Sequence, residues 1–464
     1  MVLGRTQKPV IDDTICNACA VCLHQCPAEV LLGYRRKDGS ARGALYHDDG
    51  SIPSFGQKES LLPPCQEACP IGQDVRRYVG LVAEGKFGEA LEVVRQTNPL
   101  PAVCGLVCHH PCEEACSRAR LDDPVAIRAL KAFLAIYESE RKTRVPQKRE
   151  NRGEKVAVIG AGPAGLTAAY DLSRLGYDIT VFESLPVAGG MLSVGIPAYR
   201  LPRAILQAEI DAILAQGIAL KTGRAMGMDF TLNDLWDNGF HAVFVATGAH
   251  RSQRLNIEGE DLTGIIGGVD FLRKINLGEK MTLSGRVAVI GGGNVAIDSA
   301  RSAHRLGATA VDIYYRRTRK EMPAIAEEVQ EARREDIDIH WLITPKAFSG
   351  NDRKVEGVLC LKNRLDGKDA TGRRVPVPVQ GSEHLVRADT VIVSVGQDTG
   401  LGDLGIGVKP SEGGTISVDE RTTATSVPGV FAGGDIVTGP GWAVEAIAWG
   451  KKAAQGIHDY LSRG

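Results

Sequence analysis

The sequence predicts an α/β fold in which two strand–turn–helix–strand units follow a helical, cysteine-rich segment. Three observations carry this. Residues 155–183 (KVAVIGAGPAGLTAAYDLSRLGYDITVFE) run apolar strand, glycine turn, helix, apolar strand. Residues 286–317 (RVAVIGGGNVAIDSARSAHRLGATAVDIYYRR) repeat that order. Ten of the eleven cysteines lie between Cys16 and Cys116. Short apolar runs closed by glycine are what buried parallel strands look like.

Composition bounds the rest. A chain of 464 residues should hold two or three domains, and its 43% hydrophobic content is ordinary for a globular protein. A net charge of −1 gives no field that would attract nucleic acid or an anionic membrane. The start, MVLGRTQKPV, has no export signal, and no apolar run approaches the ~20 residues of a spanning helix. The expectation is a cytoplasmic chain whose cysteines bind metal rather than form disulfides.

In chain order, Cys16-x2-Cys19-x2-Cys22-x3-Cys26-Pro27 comes first. This is a bacterial ferredoxin run, in which thiolates on one tight loop converge on an iron–sulfur cubane. In two-cluster ferredoxins the fourth cysteine serves the other cluster, so Cys26 is open to a role elsewhere. Residues 35–58 are polar and rich in Gly, Asp and Ser, and read as a linker. Cys65-x3-Cys69-Pro70 is the second half of such a run without its first half. Residues 75–97 have helical periodicity broken near 85–88, which predicts two antiparallel helices. Cys104, Cys108, Cys112 and Cys116 follow at intervals of four. That spacing would make one helical stripe, but Gly105 and Pro111 predict turns that fold the thiolates inward. A helix is expected from 123–124 through 137, and His109 and His110 read as bystanders. Residues 140–154 form a charged linker.

The first nucleotide unit has Gly160, Gly162 and Gly165 as G-x-G-x-x-G. The first glycine permits the tight turn, the second lets backbone approach a pyrophosphate, and the third lets helix pack on strand. The helix over 164–175 aims its N-terminal N–H groups at phosphate, and Glu183 ends the second strand, placed for ribose hydroxyls. The Gly-rich residues 188–202 can pass close to a ligand ring. A helix over 203–216 and a buried strand ending in Ala246-Thr247-Gly248 come next, then a crossing segment, 258–283.

The second unit has Gly291, Gly293 and Ala296 as G-x-G-x-x-A. Its second strand ends in Tyr314-Tyr315-Arg316-Arg317 instead of an acid. Basic residues accommodate a ribose 2′-phosphate that an acid would repel, which predicts NADP(H) over NAD(H). An amphipathic helix over 324–335, a β-excursion over 355–379 and a buried strand within 389–396 follow. A strand then runs into Gly433-Gly434-Asp435, where Asp435 is a candidate partner for a cofactor hydroxyl, and a helix starts at 442. A helix N-terminus there can stabilise an anionic reduced isoalloxazine.

These features together resemble a known family. The two nucleotide units, the Ala-Thr-Gly and Gly-Gly-Asp turns, the Cys65 and Cys104 runs, GGMLSVGIPAYRLP and YRRTRKEMPA are similar to the small (β) subunit of glutamate synthase. The resemblance extends to the N-terminal part of dihydropyrimidine dehydrogenase and covers the chain from about Pro63 to its end. It implies two Rossmann-like domains, the NADP domain inserted in the FAD domain, behind a helical iron–sulfur domain. It implies FAD at Gly160, Gly162, Gly165, Glu183, Gly190, Thr247, Gly248, Gly434 and Asp435, and NADPH at Gly291, Gly293, Asn294, Arg316 and Arg317. It also implies two [4Fe–4S] clusters. The expected divisions are residues 1–58, 59–146, 147–280, 281–388 and 389–464.

Three departures qualify it. The Cys-x2-Cys pair usual just before Cys65 is absent, the spacing between Cys108 and Cys112 is short, and residues 128–131 hold no Gln or Glu ligand. The extra run at Cys16, Cys19, Cys22 and Cys26 suggests that its first three cysteines replace the missing pair. The function expected is an NAD(P)H-dependent oxidoreductase subunit. It passes electrons between NADPH, FAD and clusters to a protein partner in a hetero-oligomer. That partner is a large catalytic subunit, such as that of glutamate synthase, or a ferredoxin. Reverse flow to NADP+, bifurcation at the flavin and a non-catalytic redox scaffold are the rival expectations. No acid–base dyad or nucleophile stands out as catalytic.

Overall fold

The apolar run of each nucleotide unit becomes the central strand of an all-parallel five-stranded sheet. These sheets belong to a computed structural model that describes residues 62–139 and 152–463, except 370, 402–404, 406, 409 and 412. Within the first 61 residues it describes two short antiparallel pairs, Val2–Leu3 with Pro9–Val10 and Gly33–Arg35 with Ala41–Gly43. Cys16, Cys19, Cys22 and Cys26 lie outside the described residues. The chain divides into two units, 1–143 and 144–464.

In the first sheet the order is Val430–Ala432, Phe240–Val245, Lys155–Ile159, Asp178–Phe182, Ala219–Lys221. Val156, Val158, Val181, Val243 and Phe244 are essentially inaccessible, as expected of strands covered on both faces. The chain leaves Lys155–Ile159 toward Asp178–Phe182 and later returns on the other side as Phe240–Val245. The strand order therefore reverses between the two, which is where open parallel sheets bind ligands. The helices Pro163–Arg174 and Ala443–Leu461 cross closely: a Cβ at Gly450 would stand 2.3 Å from the Ala164 carbonyl oxygen.

The second sheet runs Ile265–Gly267, Thr390–Val393, Arg286–Ile290, Ala310–Tyr315, Asp338–Trp341, with the reversal between the second and third of these. Its core gathers Phe271, Val289, Ile297, Ile313 and Ile392. The segment expected merely to cross between domains thus supplies an edge strand and the helix Gly268–Asn276. The chain enters at Arg251–Ser252 and leaves at Gln397–Asp398, and these two segments pair antiparallel. The β-excursion is longer than its sequence suggested. Lys354–Lys368 pairs with Ile343–Asn351, Arg374–Pro378 and His384–Arg387.

The cysteine-bearing unit is helical, as predicted. Val75–Ala83 is capped by Asp74, which accepts from the Arg77 N–H at 3.2 Å. It ends before Gly85, whose φ of +73° makes the break, and Phe87–Arg95 follows. Tyr78 is fully buried and donates to the Ile127 carbonyl at 2.9 Å, pinning the helix Ile127–Ser139. One expectation is corrected. Gly105 makes no turn; it lies inside the helix Pro101–Val107. A Cβ there would stand 2.5 Å from the Ala132 backbone nitrogen, so the missing side chain lets two helices touch. The stripe is broken instead at His110, which is left-handed (φ 49°), and Pro111 then starts the short helix Pro111–Glu114. No helix among the described residues is long and apolar enough to cross a membrane.

Candidate functional site

Backbone alone forms the cradle at the first sheet. Gly160 has φ +108°, and a Cβ on it would stand 2.4 Å from the Ala246 carbonyl oxygen, so the first turn abuts the Ala-Thr-Gly turn. A Cβ on Gly165 would meet the Gly160 carbonyl oxygen at 2.0 Å. Gly162 faces Gly190, whose own Cβ would stand 2.9 Å from the Gly162 Cα. Two glycines far apart in sequence thus leave bare backbone on both sides of one gap.

Glu183 closes this cradle. It is buried, and its carboxylate accepts from the Ala161 and Leu185 N–H groups, both at 2.8 Å. Burial raises its pKa and those N–H donors oppose the rise. The Ser184 hydroxyl donates to it as well, at 3.3 Å, so of about four lone-pair positions one remains for a ribose hydroxyl. Thr247 Oγ1 is buried with no hydrogen-bond partner among the described residues. Gly434 (φ +76°) brings Asp435 to the same edge, where burial pushes its carboxyl up to about 6. Its Oδ1 accepts from the Gly441 N–H at 3.3 Å.

At the second sheet, Gly291 (φ +149°) lies against strand Thr390–Val393: a Cβ there would be 2.2 Å from the Ser394 carbonyl oxygen. Gly293 opens onto space, with nothing within 4 Å of a Cβ. Asn294 Oδ1 accepts from the Ile325 N–H at 3.0 Å and so ties down the loop beyond the basic run. The two arginines divide. Arg317 is buried, pairs with Asp369 at 2.8 Å and donates to the Arg374 carbonyl at 2.8 Å. It anchors the β-excursion. Arg316 is exposed, and Arg317 and Arg373 lie within electrostatic reach of it. Of the two, Arg316 is the one that faces outward, beside the exposed Arg319 and Lys320.

Between the sheets, Arg200 bridges Asp298 at 2.7 Å and Glu328 at 2.9 Å. Arg301 completes the network through Glu328 and Glu335, each at 2.7 Å. Asn276 Nδ2 donates to the Val194 carbonyl at 2.9 Å, and Gln397 Nε2 to the Ala249 carbonyl at 3.1 Å. The Gly-rich stretch behind the first turn therefore packs on the last residue of the helix Gly268–Asn276, while Gln397 ties the end of the Ala-Thr-Gly turn to the second sheet's exit strand. The sequence reading missed Arg200 and Asp298; the Tyr-Arg pair within GIPAYRLP was the available signal.

In the helical unit, Cys69, Cys104, Cys108 and Cys112 are buried, and Cys65 and Cys116 are half-buried. Cys65 lies within electrostatic reach of Cys116, and Cys69 within reach of Cys108 and Cys112. Burial pushes the Cys112 thiol up to about 12, although Lys131 opposes it. The His110 N–H donates to Cys108 Sγ at 3.4 Å, and Arg128 donates to the Cys108 carbonyl at 3.2 Å. Among the described residues no three His, Cys, Asp or Glu side chains converge on a single ion. A cubane is wider than an ion and holds its thiolates farther apart.

Comparison with known proteins matches this geometry. Residues 154–450 match the family described as pyridine nucleotide-disulphide oxidoreductase. Residues 60–143 match dihydropyrimidine dehydrogenase domain II, 4Fe-4S cluster. The NADP(+)-dependent formate dehydrogenase subunit beta of Moorella thermoacetica is 45% identical over 94% of this chain, which spans 64% of that relative's length. The glutamate synthase [NADPH] small chain of Azospirillum brasilense is 35% identical, with 92% of each covered. FprA of Mycobacterium tuberculosis, solved in complex with NADPH, shares the fold at 21% identity. Its TM-score is 0.60, over 67% of this chain and 85% of that one. The chain belongs to the pyridine nucleotide-disulphide oxidoreductase family, among the relatives of the glutamate synthase small chain.

Proposed function

We propose that this chain is an electron-transfer subunit that passes reducing equivalents between NADP(H) and a protein partner, through FAD and [4Fe–4S] clusters. The observation that carries it is the packing of two switch-point cradles edge to edge, joined by Arg200 and Asp298. Such packing suits two dinucleotides whose reactive rings must meet.

The residues fit the groups. The side-chain-free gap at Gly162 and Gly190, the orphan Thr247 hydroxyl and the remaining acceptor position of Glu183 suit FAD. Gly434 and Asp435 border the same edge. The opening at Gly293 and the outward Arg316 suit NADP(H), with Arg317 holding the excursion behind them. Bound FAD exchanges hydride with nicotinamide and single electrons with clusters. Only Cys360 follows Cys116, so the flavoprotein part has no cysteine pair for disulfide exchange. Cys65, Cys69, Cys104, Cys108, Cys112 and Cys116, with Cys16, Cys19, Cys22 and Cys26, are the cluster ligands of this reading. They suffice for two cubanes. Bound iron would hold as thiolates the thiols that burial otherwise keeps protonated.

The relatives named as beta subunits support a protein partner; in this reading it is a large catalytic subunit or a ferredoxin. The test is the cofactor content of anaerobically purified protein. About one FAD and about eight irons with eight acid-labile sulfides per chain are expected. Flavin without iron would overturn the electron-transfer reading.

A further inference from the structure

We propose that Lys131 is the counter-charge of the [4Fe–4S] cluster that Cys108 and Cys112 help to bind, and that it raises the reduction potential of that cluster. This rests on reading the cysteines of the helical unit as cluster ligands, and it adds the residue that sets how readily one cluster is reduced.

Lys131 is only 5% exposed, and lysines are almost never buried unless paired. It lies on the helix Ile127–Ser139, whose first turn is fastened to the cysteine segments. The Arg128 side chain donates to the Cys108 carbonyl at 3.2 Å, and the Arg128 N–H donates to the carboxylate of Glu113, next to Cys112, at 2.7 Å. Lys131 follows Arg128 by three residues and so shares its face of the helix. One residue on, the Ala132 backbone abuts Gly105, the neighbour of Cys104. The Lys131 ammonium is within electrostatic reach of Cys108 and Cys112, where its charge opposes the burial that raises both thiols.

Among the described residues no carboxylate pairs with this charge. The carboxylates of the described helical unit that are not exposed are Asp74, Glu113 and Glu138. Asp74 caps Val75–Ala83, Glu113 accepts from Arg128, and Glu138 pairs with Arg95. Burying an unpaired ammonium is costly. The thiolates that iron holds ionised are the source of negative charge left to it. A charged lysine has three N–H donors and no lone pair, so it cannot ligate iron and instead donates to thiolate or sulfide. Four thiolates leave a cubane net negative, and the electron it receives from the flavin deepens that charge, with no bond formed or broken at Lys131. An ammonium beside it therefore favours the reduced form and raises the potential.

The test is a mediated redox titration of the full-length, cofactor-loaded chain, followed by low-temperature electron paramagnetic resonance and iron analysis. Lys131→Met keeps an apolar stem of similar length and removes the charge. In this variant one cluster is expected to become harder to reduce, its reduced-to-oxidised ratio at a given potential falling roughly tenfold, or about 59 mV for a one-electron couple. Lys131→Arg keeps the charge and should stay within about threefold of the wild type. Both variants should hold the wild-type amount of iron. Iron lost from Lys131→Met but kept in Lys131→Arg would also support the inference, because charge is then what the thiolates need. Unchanged potentials in Lys131→Met, an equal shift of every cluster, an equal shift in Lys131→Arg, or iron lost from both variants would overturn it. If the wild type itself holds no iron, the cluster reading of the helical unit fails, and this assignment falls with it.

Discussion

Arg200 donates to the Asp298 carboxylate at 2.7 Å, tying the Gly-rich stretch beside the first nucleotide turn to the helix Asn294–Arg305 that opens on the second. Both side chains are nearly inaccessible, at 9% and 5%. Breaking a buried pair strands the remaining charge, at a cost of about 3–5 kcal/mol. Arg200→Ala is therefore expected to lower unfolding free energy by about that much in denaturant titration. A loss comparable to that of a surface pair, under about 1 kcal/mol, would contradict the clamp.

The same pair gives stability a pH dependence. Burial pushes the Asp298 carboxyl up to about 6, against the opposing pull of Arg200. The unfolded value is about 3.9, so between the two the folded chain binds a proton that the unfolded chain does not. The contribution of Asp298 to stability therefore falls as pH rises from about 4 to about 6. Melting temperatures of the wild type and Asp298→Asn across this range should converge at the acid end and diverge toward neutrality. Parallel curves would show that Asp298 does not titrate there.

Arg316 and Arg317 are adjacent in sequence but differ in role. Arg316→Ala should raise KM for NADPH roughly tenfold or more, the loss of a charge-assisted hydrogen bond, and leave NADH unaffected. Arg317→Ala should also lower the melting temperature, because it leaves Asp369 unpaired and frees the β-excursion. Equal effects of Arg316→Ala on both nucleotides would remove the arginine from the 2′-phosphate.

Two helical glycines make opposite predictions. A Cβ at Gly105 would enter the Ala132 backbone, so Gly105→Ala should cost about 1–3 kcal/mol and reduce bound iron. Gly80 lies in Val75–Ala83 with nothing within 4 Å of a Cβ. Gly80→Ala should gain up to about 1 kcal/mol from helix propensity, with iron unchanged. Chemical denaturation with iron analysis checks both.

How much of this was legible depended on the range of the contacts involved. The helix Pro163–Arg174 falls within one residue of the predicted span, because its glycine fingerprint is local and fixes turn, helix start and packing together. Gly162 and Gly190 could each be suspected, but their meeting follows from a fold-back that no spacing encodes. Gly105 was misread as a turn residue because the reason for it, the Ala132 backbone, lies on another helix. Arg316 and Arg317 read alike until Asp369, on a distant hairpin, claimed one of them.

In the proposed function, electrons from NADPH reach the clusters through the flavin site. Anaerobic titration of the loaded chain with NADPH, followed by flavin absorbance and low-temperature electron paramagnetic resonance, tests it directly. Flavin bleaching followed by a reduced-cluster signal is expected, with NADH much less effective. Bound FAD and clusters that stay oxidised in excess NADPH would contradict it.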